Sequence, residues 1–187
     1  MLGRIGSALA LTTIAMLVLA GCTPEEPVES TPPPTASETT PVNDHELATL
    51  ARESWDSYRE RMSNLGSDPG SATLALLQEV ATPDVAAAQL ENFQDAAERR
   101  IHTEGTRRTT AFQLVDTSEA PTNLTVHVCV DLSQERYIGD EGADLTPPDR
   151  PDQRASVVKL TLDGDGARYL VADETQITSP EIENPCA

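Results

Sequence analysis

Thr122-Asn123-Leu124-Thr125-Val126-His127-Val128-Cys129-Val130-Asp131-Leu132-Ser133 alternates apolar and polar residues almost without a break. Successive side chains of an extended chain point to opposite faces. Leu124, Val126, Val128, Val130 and Leu132 therefore share one face, and Thr125, His127, Cys129 and Asp131 share the other. One face is made for a core and the other is not, which is the signature of a strand in an antiparallel sheet.

Downstream, residues 154–163 and 167–177 form two further predicted strands, joined by Asp163-Gly164-Asp165-Gly166, a strong hairpin turn. Upstream, Thr106–Asp116 is a predicted strand with Thr110, Phe112 and Leu114 on one face. Before Gly105 the period changes from two to nearly four. Asn43 with Glu46 fits a capping box, and Val42 is placed to staple onto Leu47. From there Leu47, Leu50, Ala51, Trp55, Tyr58, Met62 and Leu65 mark a long amphipathic helix. Arg52, Glu53, Asp56, Arg59, Glu60 and Arg61 fall on its polar side, and Gly66 with the Asp68-Pro69-Gly70 turn is expected to stop it. Ser71 is expected to cap a short second helix carrying Leu74, Leu77 and Val80. Thr82-Pro83-Asp84 starts a third, with Ala86, Leu90, Phe93, Ala97 and Ile101 on one stripe and Arg99-Arg100 at its negative end. Helices first and an antiparallel sheet afterwards predict an α+β fold, three N-terminal helices packed on one face of a four-stranded sheet. Between the second and third strands lies an acidic loop, residues 134–153, stiffened by Pro147, Pro148 and Pro151. A connection this long is expected to be a mobile flap and a partner-contact surface.

The 187 residues carry 31 acids against 13 bases, a formal charge of −18, with Lys159 the sole lysine. Nucleic-acid binding needs clustered Lys and Arg, so no nucleic-acid partner is expected. Arg4 and the α-amine precede an uncharged stretch from Ile5 to Ala20, too short to span a bilayer comfortably and ending in small residues, as an export signal does. Its end, Leu19-Ala20-Gly21-Cys22, resembles the lipobox of bacterial lipoprotein precursors. That resemblance implies thioether diacylation of Cys22, cleavage before it, and a chain anchored in the cell membrane on its extracytoplasmic side. Two acyl chains hold stably where one does not. The remaining chain loses Arg4 and no acid, so anionic lipid repels it and the acyl chains carry the anchoring.

Residues 23–43 hold six prolines, four glutamates and no base. They read as an extended Pro/Thr/Glu-rich tether with a reach of roughly 60 Å at about 3.1 Å per residue. The organisation is thus 1–21 signal peptide, 22–43 lipidated Cys22 and tether, and 44–187 one folded domain. From about Asp44 to Ala187 the element order, and the strand around Val128-Cys129-Val130-Asp131, resemble the cystatin-like cone of the SnoaL-like and nuclear transport factor 2-like superfamily. The chain also looks like small surface lipoproteins of high-GC Gram-positive bacteria that pair such a domain with a Pro/Thr tether. The resemblance implies a curved sheet, and it does not choose among enzymes, binders and docking modules.

Once Cys22 takes lipid, Cys129 and Cys186 remain, and an even pair in an exported domain reads as a disulfide. The other reading, a reactive thiol with His127 as base, has no third orienting group. His127 and Asp131, on the Cys129 face, are the nearest approach to an acid–base pair, yet they lie opposite the face that meets the helices. No metal is expected, because His45, His102 and His127 lie on separate elements. Asp140, Glu141, Asp144 and the Asp163-Gly164-Asp165-Gly166 turn lack calcium-loop spacing. The Asn123-Leu124-Thr125 sequon is read as chance. Trp55, Tyr58 and Phe93 are read as core. No cofactor motif is present. The functional expectation is a non-enzymatic surface module binding an envelope protein, a glycan or a small apolar ligand. The alternative is a SnoaL-like cyclase, isomerase or hydrolase with a pocket between sheet and helices.

Overall fold

The structure, a computed structural model, describes residues 43–187. The export segment, Cys22, the tether and the Val42 staple lie outside the described residues. Helix α1 runs Asp44–Ser67, α2 Leu74–Gln78 and α3 Pro83–Glu98. Strands β1 His102–Glu104, β2 Arg108–Asp116, β3 Asn123–Asp131, β4 Arg136–Ile138, β5 Gln153–Leu162 and β6 Tyr169–Gln176 follow. The fold is α+β, helices preceding an antiparallel four-stranded sheet of order β2-β3-β5-β6.

Helix α1 begins where its capping box lies. The Asn43 side chain accepts from the Glu46 amide at 2.9 Å, and Glu46 reaches back to the Asn43 amide. Its stripe of Leu47, Ala51, Trp55, Tyr58, Met62 and Leu65 is buried on the sheet. The helix ends at Ser67 with Asp68 as its cap, at the expected Asp68-Pro69-Gly70 turn, and Gly66 itself is still helical. It is buried inside the last turn, where a Cβ would collide with the Thr103 hydroxyl, so the missing side chain lets β1 approach. Thr73 rather than Ser71 caps α2, and Ser71 closes a short 3-10 turn, Pro69–Ser71. Thr82 begins α3 with Pro83 at the first position but makes no side-chain capping bond; the Thr82 amide instead donates to the Val171 carbonyl at 3.0 Å. With the Val171 amide donating to Val80, the α2–α3 link covers the β6 edge of the sheet. The third helix stops at Glu98, short of Ile101, where Arg100 takes a positive φ of 51°.

Strand β3 buries Leu124, Val126, Val128 and Val130 as its alternation requires. In β2 a bulge between Thr109 and Ala111 changes the face. Thr109, not Thr110, joins Phe112 and Leu114 towards the helices and accepts a bond from Trp55 Nε1 at 3.0 Å. The other sheet face is crossed by the C-terminal segment, pinned by a disulfide between Cys129 and Cys186 with Cα atoms 5.2 Å apart. Cys129 is fully buried.

Residues 134–153 are not a structureless flap. They contain β4, paired antiparallel with β1, and a 3-10 turn at Asp140–Gly142. The physical reason is Glu135, buried in the middle of an acidic stretch. Arg107 and Arg150 both pair with it, and Arg150 also donates to the Leu132 and Glu135 carbonyls at 2.8 and 2.6 Å. Gly105, at φ +86°, turns the chain so closely against the Gln134 carbonyl that a Cβ would overlap it.

Candidate functional site

Register shows where the face under the helices stops being apolar. Opposite Leu124, Val126, Val128 and Val130 on β3 lie Leu160, Val158, Ser156 and Arg154 on β5. On β6 the same direction runs from Tyr169 and Val171 to Glu174 and Gln176. One half of this face is core. The other half carries Arg154, Ser156, Glu174 and Gln176, with Arg107 at its margin, and it lines a cavity of about 670 Å³. Tyr58, Arg59 and Met62 of α1, together with Val85, Ala88, Phe93 and Ala96 of α3, enclose it from above. His102 and Thr103 of β1 and Tyr137 of β4 line its end. The size is that of an ordinary small-molecule site.

The cavity's charges are incompletely paired. The nearest Arg154–Glu174 approach is 3.8 Å, and the Ser156 hydroxyl donates to Glu174 at 3.4 Å. Arg59 has no ion-pair partner among the described residues and stacks its guanidinium 5.5 Å over the Trp55 ring. Arg59 Nη2 and Arg154 Nε are buried and meet no protein acceptor. Burial lowers the Arg59 pKa, and the neighbouring Arg107 lowers it further. Burial pushes the Tyr58 hydroxyl well up, with Glu174 adding to the effect, so this hydroxyl stays protonated and able to donate. The lining combines donors (Tyr58, Arg59 and Arg154) with the carboxylates of Asp173 and Glu174, beneath a roof in which Val85, Ala88, Phe93 and Ala96 alternate with polar residues of α3.

His127 and Asp131 lie on the opposite sheet face, outside the cavity. His127 pairs in register with Gln113 and Val157, and its Nδ1 is buried without a partner. Asp131 accepts from the Ser133 amide at 2.9 Å, which lowers its pKa and gives it a turn-closing role. Cys129 is oxidised, so it is not a thiol paired with His127. Among the described residues no three His, Cys, Asp or Glu side chains converge on a point suited to a metal. None of the helices there is long and apolar enough to cross a membrane.

Two of the expected core aromatics serve the cavity as well: Tyr58 and Phe93 line it, whereas Trp55 is wholly core. Arg59, expected on the polar side of α1, faces the cavity. Its position carried a signal, four residues after Trp55 and three before Met62, at the margin of the buried stripe. Arg154 and Ser156 were legible as the two-residue continuation of the Val158–Leu160 face.

No family model matches this chain, and no curated protein matches it. Solved structures align with it. The crystal structure of the intermembrane space region of the chloroplast protein ARC6 aligns over 71% of this chain and 97% of that one, at 9% identity and a TM-score of 0.50. Aln2 from a Streptomyces species aligns over 72% and 92%, at 10% identity and a TM-score of 0.41. A de novo designed β-sheet protein aligns over 74% and 95%, at 15% identity and a TM-score of 0.35. The first likeness is one of fold alone, and the other two carry no argument.

Proposed function

We propose that the chain is a lipid-anchored extracytoplasmic protein whose folded domain, a cystatin-like cone, holds a small ligand between its helices and the polar half of its sheet. Leu19-Ala20-Gly21-Cys22 supports the anchor, and the Pro/Thr/Glu-rich segment after it suits a spacer. One observation carries the binding reading. Arg59 and Arg154 both line the cavity of about 670 Å³, and each keeps a buried guanidinium nitrogen that meets no protein acceptor. A buried cationic donor without an acceptor is costly, and a bound acceptor relieves that cost. The binding reading is non-enzymatic, because no lining Ser, Thr or Cys is hydrogen-bonded to a His base. The lining also argues against a purely apolar ligand.

A SnoaL-like enzyme is the second reading. What favours it is the presence of Tyr58, His102 and Glu174, all titratable, on the cavity wall. Two experiments test these readings. Cys22→Ala should leave the precursor unprocessed or release the protein from membranes; processed, membrane-bound mutant would end the lipoprotein reading. Native mass spectrometry of protein gently extracted from its own membrane should show a retained small molecule, absent from a cavity-filling Ala96→Trp variant. A retained molecule chemically altered on incubation would favour the enzyme.

A further inference from the structure

We propose that the cavity takes an organic monoanion, its carboxylate held by Arg59 and Arg154 at the sheet and its apolar body lying under α3. This rests on the reading of the cavity as a ligand site and specifies the class of ligand. An anionic acceptor follows because Arg59 and Arg154 both line the cavity, Arg59 has no ion-pair partner among the described residues, and each keeps a buried guanidinium nitrogen that no protein oxygen meets. A carboxylate matches the guanidinium fork, and the protonated Tyr58 hydroxyl adds a third donor.

Charge balance sets the valence. Arg107 and Arg150 are committed to Glu135, and Arg154 leans on Glu174 at 3.8 Å. Asp173 also lines the cavity, while Asp95 is taken by Arg99 at 3.1 Å on the rim, and His102 lies 3.5 Å from Glu104. Of the lining charges, Arg59, Arg99, Arg107 and Arg154 stand against Asp95, Asp173 and Glu174, and the Arg150–Glu135 pair behind Arg107 adds nothing, leaving one positive unit. A single carboxylate neutralises it; a phosphate dianion would overshoot. The apolar body follows from Met62, Val85, Ala88, Phe93 and Ala96 on the opposite wall, where the polar residues of α3 are Gln89, Asn92 and the mutually paired Asp95 and Arg99. A whole-chain charge of −18 turns polyanions away. Screening beyond about 10 Å lets a small monoanion reach the arginines.

Trp55 is the only tryptophan, and Arg59 lies over its ring, so its emission reports events at Arg59. The full chain in zwitterionic nanodiscs, with empty nanodiscs as blank, is titrated with decanoate and phenylbutanoate. Their uncharged primary amides and inorganic phosphate are titrated in parallel. Trp55 emission and calorimetry are the readouts. The acids should bind saturably, one per chain, with the amides at least about tenfold weaker, roughly 1.4 kcal/mol. Arg154→Gln should cost the acids a similar factor, and phosphate should not saturate. Amides binding as tightly as acids would overturn the carboxylate assignment while leaving the cavity a ligand site. Phosphate binding as tightly as the acids would overturn the apolar body. No saturation by any probe, with Ala96→Trp indistinguishable from the natural chain by calorimetry, would overturn the ligand-cavity reading itself. The acid–amide comparison needs no variant, so the proposal stays testable if Arg154→Gln fails to fold.

Discussion

The Arg150 guanidinium lies 3.2 Å from the Glu135 carboxylate and also donates to the Glu135 carbonyl at 2.6 Å, clamping both ends of one residue. Glu135 is 3% exposed, and Arg107 pairs with it from the other side. Removing one partner of a buried ion pair strands the rest. Glu135→Ala should therefore destabilise by about 3–5 kcal/mol, seen as a large drop in urea midpoint at unchanged slope. Shortening residues 136–149 to a Gly-containing turn should also lower the melting temperature, since β4 and the Arg150 clamp dock this segment. A shortened chain as stable as the natural one would restore the mobile-flap description.

The Cys129–Cys186 bridge joins residues 57 apart in sequence and holds the C-terminal segment across the outer sheet face. A loop of that length is worth at most about 4 kcal/mol in the chain-entropy model. Cys129→Ser with Cys186→Ser should lower stability by up to that amount yet keep the fold, because the core lies on the opposite face of β3. Urea unfolding with and without reductant measures it. An unfolded double mutant would mean that the terminal segment is itself part of the core.

What could be read from the sequence follows pattern length. Nine residues of unbroken alternation made β3 unmistakable, and a local capping pair located the start of α1. Three residues carry no period, so β1 and β4 were invisible, and their pairing spans more than thirty positions. Glu135 looked like one acid among many, because its burial depends on arginines 28 and 15 residues away. Alternation alone puts Thr110 on the Phe112–Leu114 face, whereas the bulge puts Thr109 there, because a bulge shifts register without any change in composition. The candidate site was half legible: the polar continuation of the Val158–Leu160 face was present in the sequence, but only strand pairing brings Arg154, Glu174 and Arg59 around one space. His127 and Asp131, adjacent in pattern, face away from it.

Asp116, Asp131 and Asp144 each close a turn by accepting from the amide two residues on, at 2.8–2.9 Å. Ser118 lowers the pKa of Asp116, Ser133 that of Asp131 and Thr146 that of Asp144. A carboxylate with a depressed folded-state pKa contributes stability that is fully present above the unfolded value, about 3.9. That contribution is lost as pH falls through the folded value. Melting temperature should therefore fall below about pH 4. The triple Asn variant, which keeps the acceptor oxygens but cannot titrate, should show a shallower acid limb. Parallel limbs for the two proteins would mean that these carboxylates are no better bound in the folded state than in the unfolded chain.

Arg154 and Glu174 lie, with Ser156 and Gln176, on the polar half of a sheet face whose other half carries valine, leucine and tyrosine. A partly buried ion pair seldom repays its desolvation, and replacing both members with apolar residues of similar volume is often neutral, or stabilising by roughly 1–4 kcal/mol. Arg154→Met with Glu174→Leu should therefore hold or raise the melting temperature, because it extends the Val158–Leu160 core into the cavity. The same variant should lose saturable binding of decanoate. Stability gained together with binding lost would identify the polar half of the sheet as a feature kept for its ligand at the expense of packing. A loss of several kcal/mol would instead make the pair structural, and the cavity would lose its thermodynamic argument for a ligand.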